Sequence, residues 1–199
     1  MYIGKLGDGS HSDDGIYVLI KEVIDNAIDE FRMGFGKTIE VDVQNGKVRV
    51  RDFGRGIPLN AMKDAVSRLN TGAKYDSETF VMSVGMNGVG IKAVNFLSTR
   101  FEVRSFRDGM MRRAYFEQGI LKEDQTMPTE EENGTFIFFE PDASLFTNYR
   151  FQDDIVAEML RNYTYLNSGL IIMHNGRRIA SRNGLQDLLK DTMSSAPLY

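Results

Sequence analysis

The chain carries the stretch EVIDNAIDE at residues 22–30, in which apolar and polar positions alternate with helical spacing. Apolar side chains recur every three to four residues from Tyr17 to Phe31, which predicts a helix over residues 13–33. Two aspartates precede this segment as N-cap candidates, and Gly34 follows it as a stop signal. The predicted helix is therefore amphipathic, with one face for a core and one face rich in carboxylates.

The polar face of this helix groups carboxylates around one amide, at the positions Glu22, Asp25, Asn26, Asp29 and Glu30. A solvated acidic face is the ordinary interpretation of such a stripe. Like charges three or four residues apart repel, however, and an amide among carboxylates offers a neutral oxygen of the kind that magnesium accepts. A metal and water site centred on Glu22 and Asn26 is the alternative, with the other three as supporting charges.

A second polar signal follows a predicted β-hairpin. Residues 38–43 and 47–52 alternate apolar and polar positions around an Asn-Gly turn. The sequence DFGRGIP at residues 52–58 then forms a tight turn, because it holds two glycines and a proline. Asp52 stands where the strand ends, and its carboxylate could accept a hydrogen bond from an adenine amino group. An ordinary turn aspartate is the alternative.

Glycine-rich segments supply the third signal. Residues 85–90 read GMNGVG and run into a predicted helix, where glycines and unpaired N–H groups suit a phosphate. A flexible loop is the default explanation, and the spacing is not that of a dinucleotide fingerprint. Lys74 could reach the same phosphate, although a solvated charge is the alternative. Residues 36–38 read GKT but lack the first glycine of a Walker A loop.

The remaining pattern predicts one domain with helices covering one face of a sheet, in an α/β or α+β arrangement. The stretch over residues 121–132 is polar and acidic, and we expect it to be variable or shortened; no element is assigned to it. Residues 70–90 are expected to form a long functional loop. The other predicted helices span residues 60–69, 89–97, 151–166 and 185–190, and the other strands span residues 100–106, 111–116, 135–140 and 170–174.

Composition narrows the possible functions. The chain has 199 residues, a net charge of −4 and no cysteine, which excludes disulfides and thiolate metal sites. The acidic balance argues against this segment alone clamping duplex DNA. The absence of cysteine agrees with a reducing compartment. No signal peptide and no apolar run long enough for a bilayer are found, so we expect no membrane partner.

Taken together, these segments resemble the motifs of the GHKL ATPases, which include gyrase, heat-shock chaperones, histidine kinases and MutL. Residues 22–30, 52–58, 85–90 and 133–135 are similar to the four motifs, in the same order. The resemblance implies a two-layer α/β sandwich with a mixed, mostly antiparallel sheet and helices on one face. It also implies that the chain binds and hydrolyses ATP with magnesium.

Other segments resemble the B subunits of bacterial type IIA topoisomerases more closely. They are residues 1–4, 70–76 and 166–169. The gyrase pattern usually has histidine where Asn87 stands, so the similarity favours topoisomerase IV over gyrase. A chaperone or mismatch-repair clamp of the same fold, and a non-catalytic interaction module, are the alternatives.

The resemblance assigns a role to individual residues. It implies that Glu22 is the general base, that Asn26 holds magnesium, and that Asp52 binds the adenine amino group with Thr135 supporting it through water. Phosphate and cofactor contacts fall on Lys74, Gly85, Met86, Asn87, Gly88, Val89, Gly90 and Ile91. The outer edge of the pocket, where aminocoumarin-type inhibitors bind in this family, falls on Arg55, Gly56, Pro58 and Arg107.

The resemblance also implies partners. B subunits of this kind pair with a topoisomerase A subunit as an A2B2 heterotetramer, act on DNA in the bacterial nucleoid and dimerise when ATP binds. We expect the 199 residues to be one ATPase domain of such a subunit, without its N-terminal arm and without the following transducer domain. On that expectation the chain is monomeric, binds ATP and turns it over weakly.

Overall fold

The computed structural model describes residues 5–67 and 90–193 of the chain. Residues 70–89 of the predicted loop lie outside the described residues. The site predictions that fall there are those for Lys74, Gly85, Met86, Asn87, Gly88 and Val89.

The helix predicted from residues 13–33 is confirmed as α1, Gly15–Arg32, and its apolar stripe is buried in the core. Asp14 stands at the N-cap, but its carboxylate does not cap the helix. It accepts hydrogen bonds from the backbone of Gly9 at 2.9 Å and of His11 at 3.2 Å, which fixes the preceding turn. The helix stops before Gly34, whose φ of +88° lies in the left-handed region that favours glycine.

In the part of the chain that the structure describes, eight strands form one sheet in the order β5-β4-β3-β6-β2-β1-β7-β8. Neighbouring strands are antiparallel except for the parallel pair of β1 and β7 among the described residues. This mixed, mostly antiparallel sheet is the one that the sequence and its resemblance predict. The strands are β1 Thr38–Gln44, β2 Lys47–Asp52, β3 Ser98–Arg107, β4 Met110–Glu117, β5 Ile120–Pro128, β6 Gly134–Pro141, β7 Ile171–His174 and β8 Arg177–Ala180.

Apolar side chains on one face of the sheet meet the helices. Val50 pairs with Val41 on one side and Ile137 on the other, and all three are buried. Because residues in register share a face, this row continues the core across the sheet. The helices that follow α1 are α2 Met62–Ser67, α3 Gly90–Phe96, α4 Asp153–Leu166 and α5 Leu185–Thr192. Among the described helices, α1, α3 and α4 contact the sheet, whereas α2 packs on α3 and α5 packs on α4. None of the described helices is long and apolar enough to cross a membrane.

Two edge strands are absent from the elements predicted from sequence. The polar stretch to which the sequence assigns no element is in part β5, which pairs with β4 along its length. Nearly all of its side chains are exposed, so no apolar alternation marks it as a strand. Ion pairs join this strand to β4, such as that of Arg112 with Asp124 at 2.7 Å. The other strand, β8, has only four residues and closes the opposite edge.

Tyr17 anchors the first turn of α1 to two other segments. Its side chain is fully buried, and its hydroxyl donates to the carbonyl of Gly9 at 2.7 Å. The same hydroxyl accepts the backbone N–H of Gln152 at 3.0 Å, directly before α4. This one group therefore sets where α1 begins relative to α4.

Replacing Tyr17 with phenylalanine tests this anchor. The ring and its packing remain, but the N–H of Gln152 loses its partner, which costs about 1–3 kcal/mol when the group is buried. We expect urea denaturation to show a fall of that size in the free energy of unfolding. The control is Tyr115→Phe, because that hydroxyl contacts only an exposed glutamate at 3.2 Å. Equal losses for the two variants would contradict the anchoring role.

Candidate functional site

Glu22 lies half-buried on α1, beside the first residue of α3. A Cβ added to Gly90 would overlap the carboxylate oxygen Oε2 of Glu22, so only glycine allows this approach. Burial raises the pKa of Glu22, and the charge of Asp25 raises it further. The structure thus brings the predicted base against the last glycine of the predicted phosphate loop.

Asn26 follows Glu22 by one turn and is held within its own helix. Its amide nitrogen donates to the backbone carbonyl of Glu22 at 2.8 Å. That bond uses the nitrogen and leaves the amide oxygen for a ligand. No cluster of three or more histidine, cysteine or acidic residues suited to a metal is found in the described ranges. Magnesium keeps several waters and takes oxygens from substrate phosphates, so one amide oxygen beside Glu22 suits it.

Asp52 ends β2 with its side chain buried, only 8% exposed. One carboxylate oxygen, Oδ1, accepts the N–H of Gly54 at 2.9 Å and that of Thr135 at 3.2 Å. Burial raises the pKa of Asp52 to about 6, although these two hydrogen bonds oppose the shift. Among the described residues, no lysine or arginine nitrogen lies within ion-pair distance of this carboxylate. The second oxygen, Oδ2, remains for a further donor.

Arg55 is fixed at one end of the site by Glu30. Its guanidinium donates to both carboxylate oxygens of Glu30, at 3.1 and 2.9 Å, and lies 4.6 Å from the ring centre of Phe35. The hydrogen bonds to Glu30 raise the pKa of Arg55. The sequence predicts Glu30 as a supporting charge, and this contact gives it that function.

The turn after Asp52 is braced from β3. The hydroxyl of Ser105 donates to the carbonyl of Ile57 at 2.6 Å, and Arg107 donates to that of Gly56 at 3.2 Å. The carbonyl of Pro58 accepts the N–H of Ala61, which begins the turn into α2. Arg55, Gly56 and Pro58 therefore share one turn, and Arg107 at the end of β3 contacts it.

The polar stripe on α1 connects these parts. Glu22, Asn26 and Glu30 are each four residues apart, so they lie along one line of the helix. Glu22 meets α3 at one end, and Glu30 meets Arg55 at the other. The interpretation of this face as merely solvated is therefore wrong for these residues, because both ends are packed against other segments.

The remaining acidic residues of α1 have structural surroundings. Asp25 accepts a hydrogen bond from the hydroxyl of Tyr163 at 2.6 Å, which ties α1 to α4. Burial and the charge of Asp25 raise the pKa of Tyr163. Burial also raises the pKa of Asp29. These contacts agree with their prediction as supporting charges.

Two further positions refine the sequence prediction. The resemblance assigns Ile91 to the cofactor, but its side chain is packed in the core and is 7% exposed. Only its backbone is left for a ligand. The sequence does not single out Arg51, yet its guanidinium is buried beside Asp52 between two aromatic rings. The alternating pattern of β2 gives no reason to expect a buried arginine.

A separate cleft of about 450 Å³ lies between α1 and α4. Its lining includes Tyr17, Lys21, Glu158 and Tyr163, and none of the predicted site residues. The predicted site is therefore distinct from this cleft and lies on the side of α1 that faces Gly90 and Arg55.

Known proteins resemble the chain over most or all of its length. It is 48% identical over 198 residues to the B subunit of DNA topoisomerase 4 from Borreliella burgdorferi, covering 100% of this chain and 33% of that protein. It is 35% identical to the B subunit of DNA gyrase from Mycolicibacterium smegmatis, covering 96% of this chain and 29% of that protein. The chain thus spans about a third of the length of these relatives.

A solved structure and a family model extend the comparison. The 43K ATPase domain of Thermus thermophilus gyrase B, in complex with an aminocoumarin, matches 100% of this chain and 54% of that one. The TM-score is 0.81 at 28% sequence identity. The family model of histidine kinase-, DNA gyrase B- and HSP90-like ATPases matches residues 11–144, which include Glu22, Asn26, Asp52 and Thr135. The chain therefore belongs to this ATPase family.

Proposed function

We propose that the chain binds ATP with its adenine against Asp52 and its phosphates toward Glu22, Asn26 and Gly90. The observation that carries this proposal is the carboxylate of Asp52, which is buried with no lysine or arginine nitrogen at ion-pair distance among the described residues. Burying such a group is costly unless it has hydrogen-bonding partners. Two backbone donors satisfy Oδ1, and the adenine amino group supplies a donor to Oδ2. Thr135 supports the base through a bridging water.

We further propose that Glu22 is the general base of hydrolysis. The raised pKa of Glu22 makes its carboxylate a stronger base, which favours proton transfer from water. The water oxygen attacks the γ-phosphorus as the proton passes to the carboxylate, and ADP departs with the bridging oxygen. Asn26 orients its amide oxygen toward the phosphates. Magnesium, held there, would neutralise charge on the phosphate oxygens.

Gly90 and the segment before it make the phosphate contacts in this proposal. The close approach of Gly90 to Glu22 supports it, because a phosphate bound at the backbone of Gly90 would be near the base. The backbone of Gly85, Met86, Asn87, Gly88, Val89 and Ile91 and the side chain of Lys74 are assigned to the same role from sequence.

The turn at Arg55, Gly56, Pro58 and Arg107 forms the outer edge of the proposed pocket. The gyrase B domain of similar fold was solved in complex with an aminocoumarin. Arg55 is held rigid by Glu30 and Phe35, so it offers a planar cation for a planar ligand. We infer that this edge takes aminocoumarin-type inhibitors in competition with ATP.

For the longer protein, we propose a bacterial type II topoisomerase B subunit of the topoisomerase IV kind. Its partners are the A subunit, in an A2B2 assembly, and DNA, and it dimerises on binding ATP in the cytoplasm. The 48% identity to a topoisomerase IV subunit, against 35% for a gyrase subunit, supports this choice. Gyrase B is the second candidate, because the solved structure of similar fold is a gyrase.

Glu22→Gln tests the proposed base in the intact subunit. The amide cannot take a proton from water, so we expect hydrolysis to fall by about 100-fold or more while ATP binding remains. A coupled ATPase assay and calorimetry with a non-hydrolysable analogue measure the two effects. The control is Glu158→Gln, an exposed glutamate on α4. Wild-type hydrolysis by the Glu22 variant would remove this residue from the mechanism.

Asp52→Asn is expected to weaken ATP binding and to stabilise the fold. Two N–H donors hold an oxygen at the Oδ1 position, so the new amide nitrogen takes the Oδ2 position and meets the adenine amino group donor to donor. We expect affinity to fall at least about tenfold, since a hydrogen bond to a charged acceptor is replaced by an unfavourable contact. Calorimetry with a non-hydrolysable ATP analogue measures it.

The stability change of the same variant depends on pH. The folded-state pKa of Asp52 is raised from 3.8 to about 6, so its stabilising contribution is present below pH 4 and lost as the pH rises through 6. That loss is about 2–3 kcal/mol, and Asp52→Asn should lack it. Urea denaturation from pH 4 to 8 measures the difference, with Asp42→Asn as control. If the free energies of unfolding of wild type and the Asp52 variant differed by the same amount at every pH in this range, the raised pKa of Asp52 would be contradicted.

The subtype of the longer protein is tested with its own A subunit. A topoisomerase IV relaxes and decatenates DNA with ATP, whereas a gyrase introduces negative supercoils. We expect gel assays to show relaxation and decatenation without supercoiling, and none of these activities with the Glu22→Gln subunit. Net negative supercoiling of relaxed plasmid would identify the gyrase alternative instead.

A further inference from the structure

Arg51 lies on the face of β2 opposite the helices, next to Asp52, and yet is only 8% exposed. Its guanidinium lies 4.7 Å from the ring centre of Phe53 and 4.3 Å from that of Phe106. The two rings cover the cation by cation–π contacts. The arginine is therefore held in one place by contacts on two segments of the sheet.

The hydrogen bonds of Arg51 link the two backbone segments that carry the proposed adenine site. Nη1 donates to the carbonyl of Asp52, and Nη2 donates to the carbonyl of Glu132 at 2.6 Å. Glu132 lies three residues before Thr135, whose N–H in turn donates to Asp52. The guanidinium thus joins the end of β2 to the start of β6 from behind the carboxylate.

Gly134 makes this arrangement possible. Its φ is +142°, and an added Cβ would overlap both the carbonyl oxygen of Asp52 and Nη1 of Arg51. Any other residue would push the arginine away from the strand end. The glycine of the fourth motif therefore leaves room for the guanidinium that connects Asp52 to the segment of Thr135.

Arg51 has no carboxylate at ion-pair distance in the described part of the chain. Its burial lowers its pKa, which reflects the cost of removing the cation from water. Apolar side chains of similar length would fill the space without this cost. What an apolar side chain cannot supply is the pair of N–H donors in a fixed plane.

We propose that Arg51 is a positioning residue for base recognition: its two hydrogen bonds fix the carboxylate of Asp52 relative to Thr135, and so determine selectivity for a 6-aminopurine. This inference rests on the proposed function, in which Asp52 accepts from the adenine amino group. Without the two coplanar N–H donors of Arg51, we expect the preference for a purine with the amino group over one without it to fall. Binding of the rest of the nucleotide should fall less.

The test compares two ligands of the intact subunit by calorimetry. One is a non-hydrolysable ATP analogue, and the other is the same analogue with unsubstituted purine, which lacks the amino group. We expect wild type to prefer the first by about tenfold or more, the size of one hydrogen bond to a buried charge. Arg51→Met and Arg51→Lys should each lower this ratio about fivefold, because neither side chain offers the two coplanar N–H donors.

Arg49→Met is the matched control. Arg49 lies two residues earlier on the same face of β2 and is exposed, and its guanidinium lies 5.8 Å from the ring centre of Phe138. Its loss should leave the ligand ratio unchanged. If the methionine variant fails to fold, Phe106→Leu serves instead, because it removes one covering ring and keeps the charge. It should lower the ratio in the same direction.

The outcomes separate the inference from the proposed function. If wild type binds both analogues equally, Asp52 does not read the amino group and the proposed function fails. If wild type discriminates and Arg51→Met does so equally well, the positioning role is overturned. If Arg51→Lys kept the wild-type preference for the analogue with the amino group, the positioning role would also be overturned, because a positive charge alone would then be sufficient. A lowered ratio in both variants, with the control unchanged, supports it.

Discussion

The buried carboxylate of Asp52 is the constraint on which the site depends. Val48, Val50 and Asp52 alternate along β2 and face the helices, so the strand that supplies core side chains also carries the carboxylate to the helix layer. Strands on both sides of β2 fix its position. Burial raises the pKa of Asp52 and works against folding at neutral pH. This cost to stability is the reason why we propose a ligand-binding role for Asp52.

The other site residues lie on both sides of the sheet. On the helix side, the stripe of α1 runs from Glu22 at Gly90 to Glu30 at Arg55, so one helix reaches both ends of the proposed pocket. On the opposite face, Arg51 holds the backbone behind Asp52. The helix-facing side of β2 therefore carries the carboxylate of Asp52, and the opposite side carries the arginine that bonds the backbone of the same residue.

Sequence patterns predict the parts of the fold that have strong periodicity or turn chemistry. The apolar stripe of α1 and the hairpin turn, where Asn45 and Gly46 both have positive φ, are confirmed. Strand β5 is not predicted, because it lies exposed at the sheet edge and its sequence therefore lacks alternating apolar residues. In the site, spacing and resemblance point to Glu22, Asn26 and Asp52. They do not point to Arg51, because its burial depends on rings and carbonyls that only the folded sheet brings together.

The proposed complex has the adenine amino group on Oδ2 of Asp52 and the terminal phosphate facing Glu22. A crystal structure with a non-hydrolysable ATP analogue and magnesium tests it most directly. We expect the amino nitrogen within about 3 Å of Oδ2 of Asp52, and the γ-phosphate beside Glu22, Asn26 and Gly90. An adenine bound elsewhere, such as the cleft between α1 and α4, with Asp52 free of contact, would contradict it.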